Sequence, residues 1–581
     1  MTQDTLHIAL IQDNPIVGDV EGNARLALKH LEENGDADLV VFSECFVSGY
    51  PVGDLVLRPG FIASVEEQIG RIRAEVIAKN GPSVLIGAPA AGTGLPYNAA
   101  FLIEPSGAMR IVRKRELPTN DVFDERRTFA GAEGNPSPLS FRGFSLGVQI
   151  CEDMWHGQVS RALADELADV LLVLNGSPYQ RGKQEVRLRH AAARVRATGL
   201  PLLYVNQVSG QDELVFDGGT FSMNTDGAVA GGCAFTPTVM KVVLRREQDG
   251  SVRVGLDAEP EGPRHPEDPI AADYNACVLG LRDYVGKTGM PRVFIGVSGG
   301  LDSALVLAMA VDAIGADRVI GVMMPSRHTS QASLDLADDL MRRTGVIREC
   351  ISIDEGFEVV DAAMTSAASR LAGVLGIEPD HGIGRENDQS RLRGLKLMDL
   401  TNRLGGIVIS TGNKSELAVG YCTLYGDTNG GFNPLKSVYK SDAFAMARWR
   451  NEAEAVLDVE NPVAHPIPDE IIARPPSAEL AEGQTDQQSL GDYDLLDCVL
   501  RQLVEVRAGA AAAARELERQ FGAEDVWKRS GGYSALSYAE RIAGLLRRAQ
   551  YKRDQTCPGV KLNEVDFGLG LRLPIAGSYK L

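Results

Sequence analysis

The chain has no surplus of positive charge: its 581 residues carry 59 lysines and arginines against 78 aspartates and glutamates, a formal net charge of −19. A surface this acidic repels phosphate backbones and anionic headgroups, which argues against nucleic acid or a membrane as a general partner. There is no Cys-x-x-Cys pair. The eight cysteines stand at 45, 151, 233, 277, 350, 422, 498 and 557, too scattered for a metal knuckle, and the pattern predicts a reducing compartment. No apolar run approaches the roughly 18 residues that span a bilayer. The opening Met-Thr-Gln-Asp-Thr-Leu-His lacks the basic and apolar regions of a secretory leader, so a cytoplasmic location is expected. No internal repeat recurs at a period of roughly 20 to 50 residues.

What is present is the balance of an ordinary globular protein, 44% hydrophobic and 24% charged. At roughly 150 residues per domain, the length allows about four domains, or two or three large ones. Short β-branched runs at 6–11, 39–42, 84–86, 146–150, 170–174 and 202–205 alternate with helical patterns, which predicts strands covered on both faces in a layered α/β domain. Four prolines fall within 260–269, the composition of a semi-rigid linker. The division expected is 1–258, a linker at 259–269, and 270–581. Beyond the linker, a strand near 292–297, a glycine loop, a helix near 303–314 and a strand at 319–323 form the βαβ unit of a parallel nucleotide-binding sheet. The alanine-rich stretch 508–514 is expected to be a surface helix.

Cys151 follows an apolar strand in Gln149-Ile150-Cys151-Glu152-Asp153-Met154-Trp155, and a cysteine where a strand ends is presented as a nucleophile must be. The other seven cysteines read as structural. Glu44 lies straight after a second strand, in Phe42-Ser43-Glu44-Cys45 and before Gly49-Tyr50-Pro51, and Lys114 ends a third, in Arg113-Lys114-Arg115. Taken singly, a Glu or Lys near a turn is usually a solvated charge. Together and in this order, with Asn175-Gly176-Ser177-Pro178, Gly182-Lys183, Arg187 and Phe216-Asp217-Gly218-Gly219, they resemble the nitrilase, or carbon–nitrogen hydrolase, superfamily over about residues 5–245. The resemblance implies an αββα layered sandwich and a thioester mechanism. In it Glu44 is proton acceptor and donor, Cys151 the nucleophile and Lys114 the oxyanion stabiliser, whose charge also favours the thiolate. It implies glutamine as substrate, with Ser177 and Lys183 at glutamine-binding positions and Asn120 where these amidotransferases usually place a tyrosine.

In the second half, Gly296-Val297-Ser298-Gly299-Gly300-Leu301-Asp302-Ser303 lies between a strand and a helix. A bare Gly-Gly pair would be no more than a turn with a capping residue. The full Ser-Gly-Gly-x-Asp-Ser string lets backbone N–H groups at the helix start approach phosphate, with Asp302 placed to hold Mg²⁺. It lacks the Gly-Lys-Ser/Thr end of a Walker loop. It resembles instead the PP-loop of ATP pyrophosphatases, which implies a Rossmann-like parallel sheet of the adenine nucleotide alpha hydrolase type and transfer of AMP to an oxygen of the substrate. The polar, glycine-dense blocks 386–394, 410–421, 424–427 and 430–434, followed by 475–480 and a tail from Tyr551, resemble NAD synthetases from about residue 270 onward. By that resemblance the PP-loop and Thr411 bind ATP, Asn387, Glu416 and Lys552 contact deamido-NAD, and Asp302 and Glu416 share Mg²⁺.

A glutaminase joined to a PP-loop domain is a glutamine-dependent amidotransferase. The function implied is amidation of deamido-NAD to NAD through an adenylated carboxylate, with ATP as co-substrate, Mg²⁺ as cofactor and ammonia carried internally from glutamine. A homo-oligomer containing a synthetase-domain dimer is implied as well. Two alternatives stand beside it: a PP-loop amidotransferase acting on another carboxylate or carbonyl, and a nitrilase-type amidase whose second half only binds.

Overall fold

The computed structural model describes residues 4–119, 122–260, 262, 264–476, 479–481, 487, 490–577 and 579. The chain forms two compact units, Met1–Pro269 and Ile270–Leu581.

The first unit holds fifteen named strands among the described residues: β1 (Thr5–Gln12), β2 (Leu39–Val41), β3 (Ser83–Ala90), β4 (Tyr97–Ile103), β5 (Met109–Arg113), β6 (Leu139–Phe141), β7 (Phe144–Ile150), β8 (Val170–Asn175), β9 (Leu202–Asn206), β10 (Val208–Gln211), β11 (Leu214–Asp217), β12 (Phe221–Met223), β13 (Val229–Gly231), β14 (Thr238–Arg246) and β15 (Val252–Leu256). One sheet runs β15-β14-β1-β2-β3-β4-β5 and the other β13-β12-β9-β8-β7-β6, while β10 and β11 form a hairpin. The centres are parallel, β1 with β2 with β3 and β7 with β8 with β9.

Alternation at a period of two sorts the side chains. Ile8, Leu10, Leu39 and Val41 face Val148, Ile150, Leu172 and Leu174 between the sheets. Ala9, Ile11 and Val40 point outward against Ala24, Val65 and Ile72 of the helices Val20–Glu33 and Pro59–Lys79. Leu171, Val173 and Tyr204 pack outward on Val159, Leu163 and Val195 of the helices Gly157–Asp165 and Lys183–Thr198. The result is the αββα sandwich. Each fully buried Leu, Ile or Val stabilises it by about 1.5–3 kcal/mol before entropy is counted, which explains why these strands read as near-continuous apolar runs. In the proline-rich segment, His265 donates its backbone N–H to the Gly232 carbonyl at 3.1 Å and packs on Tyr179 and Phe235, so this residue lies against the rest of the first unit.

The second unit is built on four parallel strands, β16 (Val293–Gly296), β17 (Val319–Met323), β18 (Ile347–Cys350) and β19 (Ile407–Val408), in the order β18-β17-β16-β19. The helix Leu301–Ile314 follows β16 and is buried nearly all round. A helical cluster of Tyr493–Val504, Ala510–Phe521 and Ala535–Arg548 has its own core. The surface helix expected at 508–514 starts at Ala510 and exposes one face at Ala511 and Arg515, while Ala510, Ala513 and Ala514 are buried in that core with Leu517, Ala539 and Ile542. Small side chains let two helices approach closely, and alanine carries too little apolar bulk to announce a buried face.

Candidate active sites

In the first unit the functional candidates stand just past the C-terminal ends of strands, where the backbone leaves the sheet. Glu44 follows β2, Lys114 β5, Cys151 β7 and Ser177 β8. Glu44 and Lys114 are completely buried, and Cys151 is 5% exposed. Lys114 donates from Nζ to Glu44 Oε1 at 2.7 Å, and Asn98 donates to the same oxygen at 2.7 Å. The other oxygen, Oε2, accepts the Gly176 N–H at 2.8 Å. The turn bearing Glu44 lies so close to β3 that a Cβ on Gly87 would come within 2.4 Å of the Cys45 nitrogen and the Ser43 carbonyl oxygen. Only glycine fits there.

The structure adds a second carboxylate that sequence reading did not assign a role. Glu125 lies 2.8 Å from Lys114 Nζ and accepts the Tyr50 hydroxyl at 2.8 Å. Burial pushes the Glu125 carboxyl up, against the pull of Lys114. Burial alone would push the Lys114 ammonium down, but Glu125 and Glu44 outweigh it and hold its pKa well above the ordinary lysine value.

Cys151 opens the short helix Glu152–Trp155 at φ 46° and ψ −97°, a backbone conformation rarely adopted by residues other than glycine. Its N–H donates to the Leu174 carbonyl at 2.8 Å. Burial pushes the thiol pKa well up and Glu44 adds to this, while Lys114 pulls the other way. Lys114 thus pulls the thiol pKa down and is outweighed by burial.

Ser177 donates its backbone N–H to Asn206 Oδ1 at 2.9 Å, and its hydroxyl accepts from Arg187 Nε at 3.2 Å. Arg187 is itself held by Asp217 through two bonds of 2.8 and 2.9 Å. Lys183 opens the helix Lys183–Thr198 with its ammonium 4.6 Å from the centre of the Trp155 ring, a cation–π contact. Asn120 lies outside the described residues.

The second unit has a cavity of about 290 Å³ at the C-terminal ends of β16 and β17, lined by the loop 296–303, Thr411, Glu416 and Lys440. Its loop is wired by serines: the Gly300 N–H donates to Ser298 Oγ at 3.2 Å, and Ser303 Oγ donates to the Gly300 carbonyl at 3.0 Å. Gly299 sits at φ +78°, where an added Cβ would lie 2.4 Å from the Ser333 carbonyl oxygen. Asp302 and Glu416 converge on Lys440, whose Nζ is 2.5 Å from Asp302 Oδ2 and 3.0 Å from Glu416 Oε1. Tyr493 also donates to that Glu416 oxygen at 3.1 Å. Lys440 is buried, which works against its charge, yet the two carboxylates raise its pKa above the ordinary value. Sequence reading missed Lys440. The available signal was a lysine at the first position of the helix Lys440–Glu452, where the helix dipole disfavours a cation.

Asn387 and Lys552 meet a neighbouring turn rather than the cavity wall. Asn387 Oδ1 accepts the Thr423 hydroxyl at 2.7 Å, and Lys552 donates to the carbonyls of Gly420 and Cys422 at 2.8 and 2.6 Å. This turn continues the helix Lys414–Val419, which carries Glu416.

Comparison with known proteins agrees with both halves. The family model for carbon-nitrogen hydrolase matches residues 7–253 and that for NAD synthase matches residues 273–555. The sequence is 42% identical to the glutamine-dependent NAD(+) synthetase of Rhodobacter capsulatus, covering 99% of each chain. It is 40% identical to the one from Xanthomonas campestris pv. campestris, over 100% of this chain and 99% of the other. Among solved structures, the glutamine-dependent NAD+ synthetase of Acinetobacter baumannii in complex with ADP is similar at a TM-score of 0.71 and 33% identity, with 98% of both chains covered.

Proposed function

The chain belongs to the glutamine-dependent NAD(+) synthetases, and from that membership we propose how its residues divide the reaction. The whole reaction amidates deamido-NAD to NAD at the expense of ATP, with glutamine as the nitrogen donor. In the first unit Glu44 takes the Cys151 proton as sulfur attacks the glutamine amide carbon, since burial pushes the thiol pKa up. Lys114 meets the charge developing on the carbonyl oxygen. Collapse expels ammonia, to which Glu44 returns the proton. Water, deprotonated in turn by Glu44, then attacks the thioester carbon, the C–S bond breaks to release glutamate, and Glu44 returns that proton to the Cys151 sulfur. Glu125 keeps a carboxylate beside Lys114 while Glu44 passes through its protonated form. Ser177, Lys183 and Asn120 receive the polar ends of glutamine.

In the second unit the loop 296–303 and Thr411 bind ATP, with loop N–H groups and the start of the helix Leu301–Ile314 directed at phosphate. Lys440 adds a cation at the same wall. Asn387, Glu416 and Lys552 contact deamido-NAD, whose nicotinate carboxylate attacks the α-phosphorus and releases pyrophosphate. Ammonia then displaces AMP. Asp302 and Glu416 line one cavity beside the loop 296–303, and magnesium commonly takes one or two carboxylates plus substrate phosphates. Asp302 and Glu416 would hold Mg²⁺, which would neutralise charge on the departing pyrophosphate.

The observation that carries this reading is the completely buried Glu44–Lys114 pair beside a positive-φ cysteine, an arrangement with a cost in stability and a use in amide cleavage. Incubation with deamido-NAD, ATP, Mg²⁺ and amide-¹⁵N glutamine is expected to give NAD heavier by one mass unit, with AMP and pyrophosphate. Unlabelled NAD, or ADP as the nucleotide product, would overturn it.

The chain is further read as a homo-oligomer that includes a synthetase-unit dimer. Val359, Leu371, Val374, Leu375 and Ile377 are exposed on or just beyond the helix Asp354–Leu375, as are Ile383 and Leu395 on the helix His381–Leu404, and Val374 reaches 84%. A run of exposed apolar residues on adjacent helices marks a protein interface. Light scattering is expected to give at least twice the 62.4 kDa chain mass, and an active monomer would remove this proposal. Among the described residues no helix is long and apolar enough to cross a membrane, and no disulfide joins the cysteines. The reducing, cytoplasmic setting is a proposal that rests on the scattered spacing of the cysteines in the sequence.

A further inference from the structure

Asp153 stands two residues after the nucleophile and is 2% exposed. Its carboxylate reaches two stretches of chain at once. Oδ1 accepts the N–H groups of Arg115 at 3.0 Å and Glu116 at 2.9 Å, immediately after Lys114. Oδ2 accepts the N–H of Ile150 at 3.0 Å, immediately before Cys151. The lysine arm leaves one sheet after β5, and the nucleophile arm leaves the other sheet after β7. One oxygen therefore holds each arm.

We propose that Asp153 is a positioning residue that sets the separation between the Lys114 ammonium and the Cys151 sulfur. This rests on the reading of Cys151 as nucleophile and Lys114 as its oxyanion partner. Three features support it. The backbone at Cys151 is in a sparsely populated conformation, which persists only where its surroundings over-determine it, and the Ile150 bond to Asp153 fixes the residue that enters it. A carboxylate has acceptor lone pairs on both oxygens, whereas an asparagine has a single acceptor oxygen and a serine a single hydroxyl, so neither holds both arms. Burial pushes the Asp153 carboxyl up to about 6, against the backbone bonds that favour its ionised form. A neutral side chain would avoid that cost but would not offer two acceptor oxygens at this fixed spacing.

The test uses the full chain with Asp153→Asn and Asp153→Glu. The asparagine releases one arm, while the glutamate keeps charge and both acceptors but displaces them by a methylene. A misplacement of roughly 1 Å at a reacting centre costs about 100-fold. For Asp153→Asn, kcat with glutamine is expected to fall about 100-fold, with KM for glutamine within about threefold of wild type. Alkylation of Cys151 by iodoacetamide should slow about tenfold, as the lysine's influence on the thiol weakens. NAD formation from ammonium salt should be unchanged. Asp153→Glu should show the same split to a smaller degree. Wild-type kcat in Asp153→Glu would mean that charge alone matters and would overturn the proposal, as would unchanged kcat and thiol reactivity in Asp153→Asn. Should Asp153→Asn fail to fold by circular dichroism, the glutamate variant decides. A Cys151→Ala control that still used glutamine would sink the underlying reading instead.

Discussion

Cys151→Ala is expected to abolish glutamine-dependent NAD formation while synthesis from added ammonium salt continues at mildly alkaline pH, where more of the nitrogen is free NH₃. Without sulfur no thioester forms, and neither Glu44 nor Lys114, already locked together at 2.7 Å, can replace a nucleophile. The loss with glutamine should be roughly a thousandfold or more, since removing the nucleophile disables the catalytic group as a unit. Alanine is smaller than cysteine, and residue 151 is joined to its neighbours by backbone bonds that alanine keeps, such as the 2.8 Å bond to Leu174. The first unit should therefore fold. The measurement is NAD produced under each nitrogen source beside wild type. Continued use of glutamine would refute the thioester mechanism, and loss of the ammonium-driven reaction in a folded variant would refute the separation of the two chemistries.

Asp302→Asn is expected to abolish NAD formation with either nitrogen source, by roughly 100- to 1,000-fold at least, the range seen when one preorganised electrostatic group is removed. Asparagine keeps the shape but removes the charge that faces Lys440 at 2.5 Å. The buried ammonium is left with Glu416 alone, and one of the two carboxylates assigned to Mg²⁺ is gone. Glutamine hydrolysis at Cys151 should persist, which distinguishes a local electrostatic loss from unfolding. Release of glutamate and of pyrophosphate, measured in parallel, reads the two sites separately. Full synthetase activity would remove Asp302 from the metal and phosphate site.

Much of this was legible in the chain because it is written locally. The apolar runs around residues 8, 40, 148 and 172 are strands buried on both faces, and a strand buried that way must be apolar at successive positions. Gly299 and Gly300 with Asp302 and Ser303 form a glycine loop between a strand and a helix start, written in consecutive residues. Cys151 and Lys114 each directly follow a strand and Glu44 stands three positions past the end of another, so all three were legible as strand-end residues. The buried face at Ala510, Ala513 and Ala514 was not legible, because burial there depends on a neighbouring helix, which their own composition does not reveal.

By itself the sequence determined the two-part architecture and the local settings of Cys151, Glu44, Lys114 and the loop 296–303. Each of these is a short-range pattern whose spacing is set by strand ends or a helix start. Only the tertiary structure decided that Lys114 is shared between two carboxylates, that burial pushes the Cys151 thiol pKa up, that Asp153 ties the chain after Lys114 to the chain before Cys151, and that Lys440 lies between Asp302 and Glu416. The Arg115–Asp153 contact spans 38 positions and the Lys440–Asp302 contact 138. No periodicity or motif connects positions so far apart. Their charges acquire partners, and their pKa values shift, only after folding has removed the water between them.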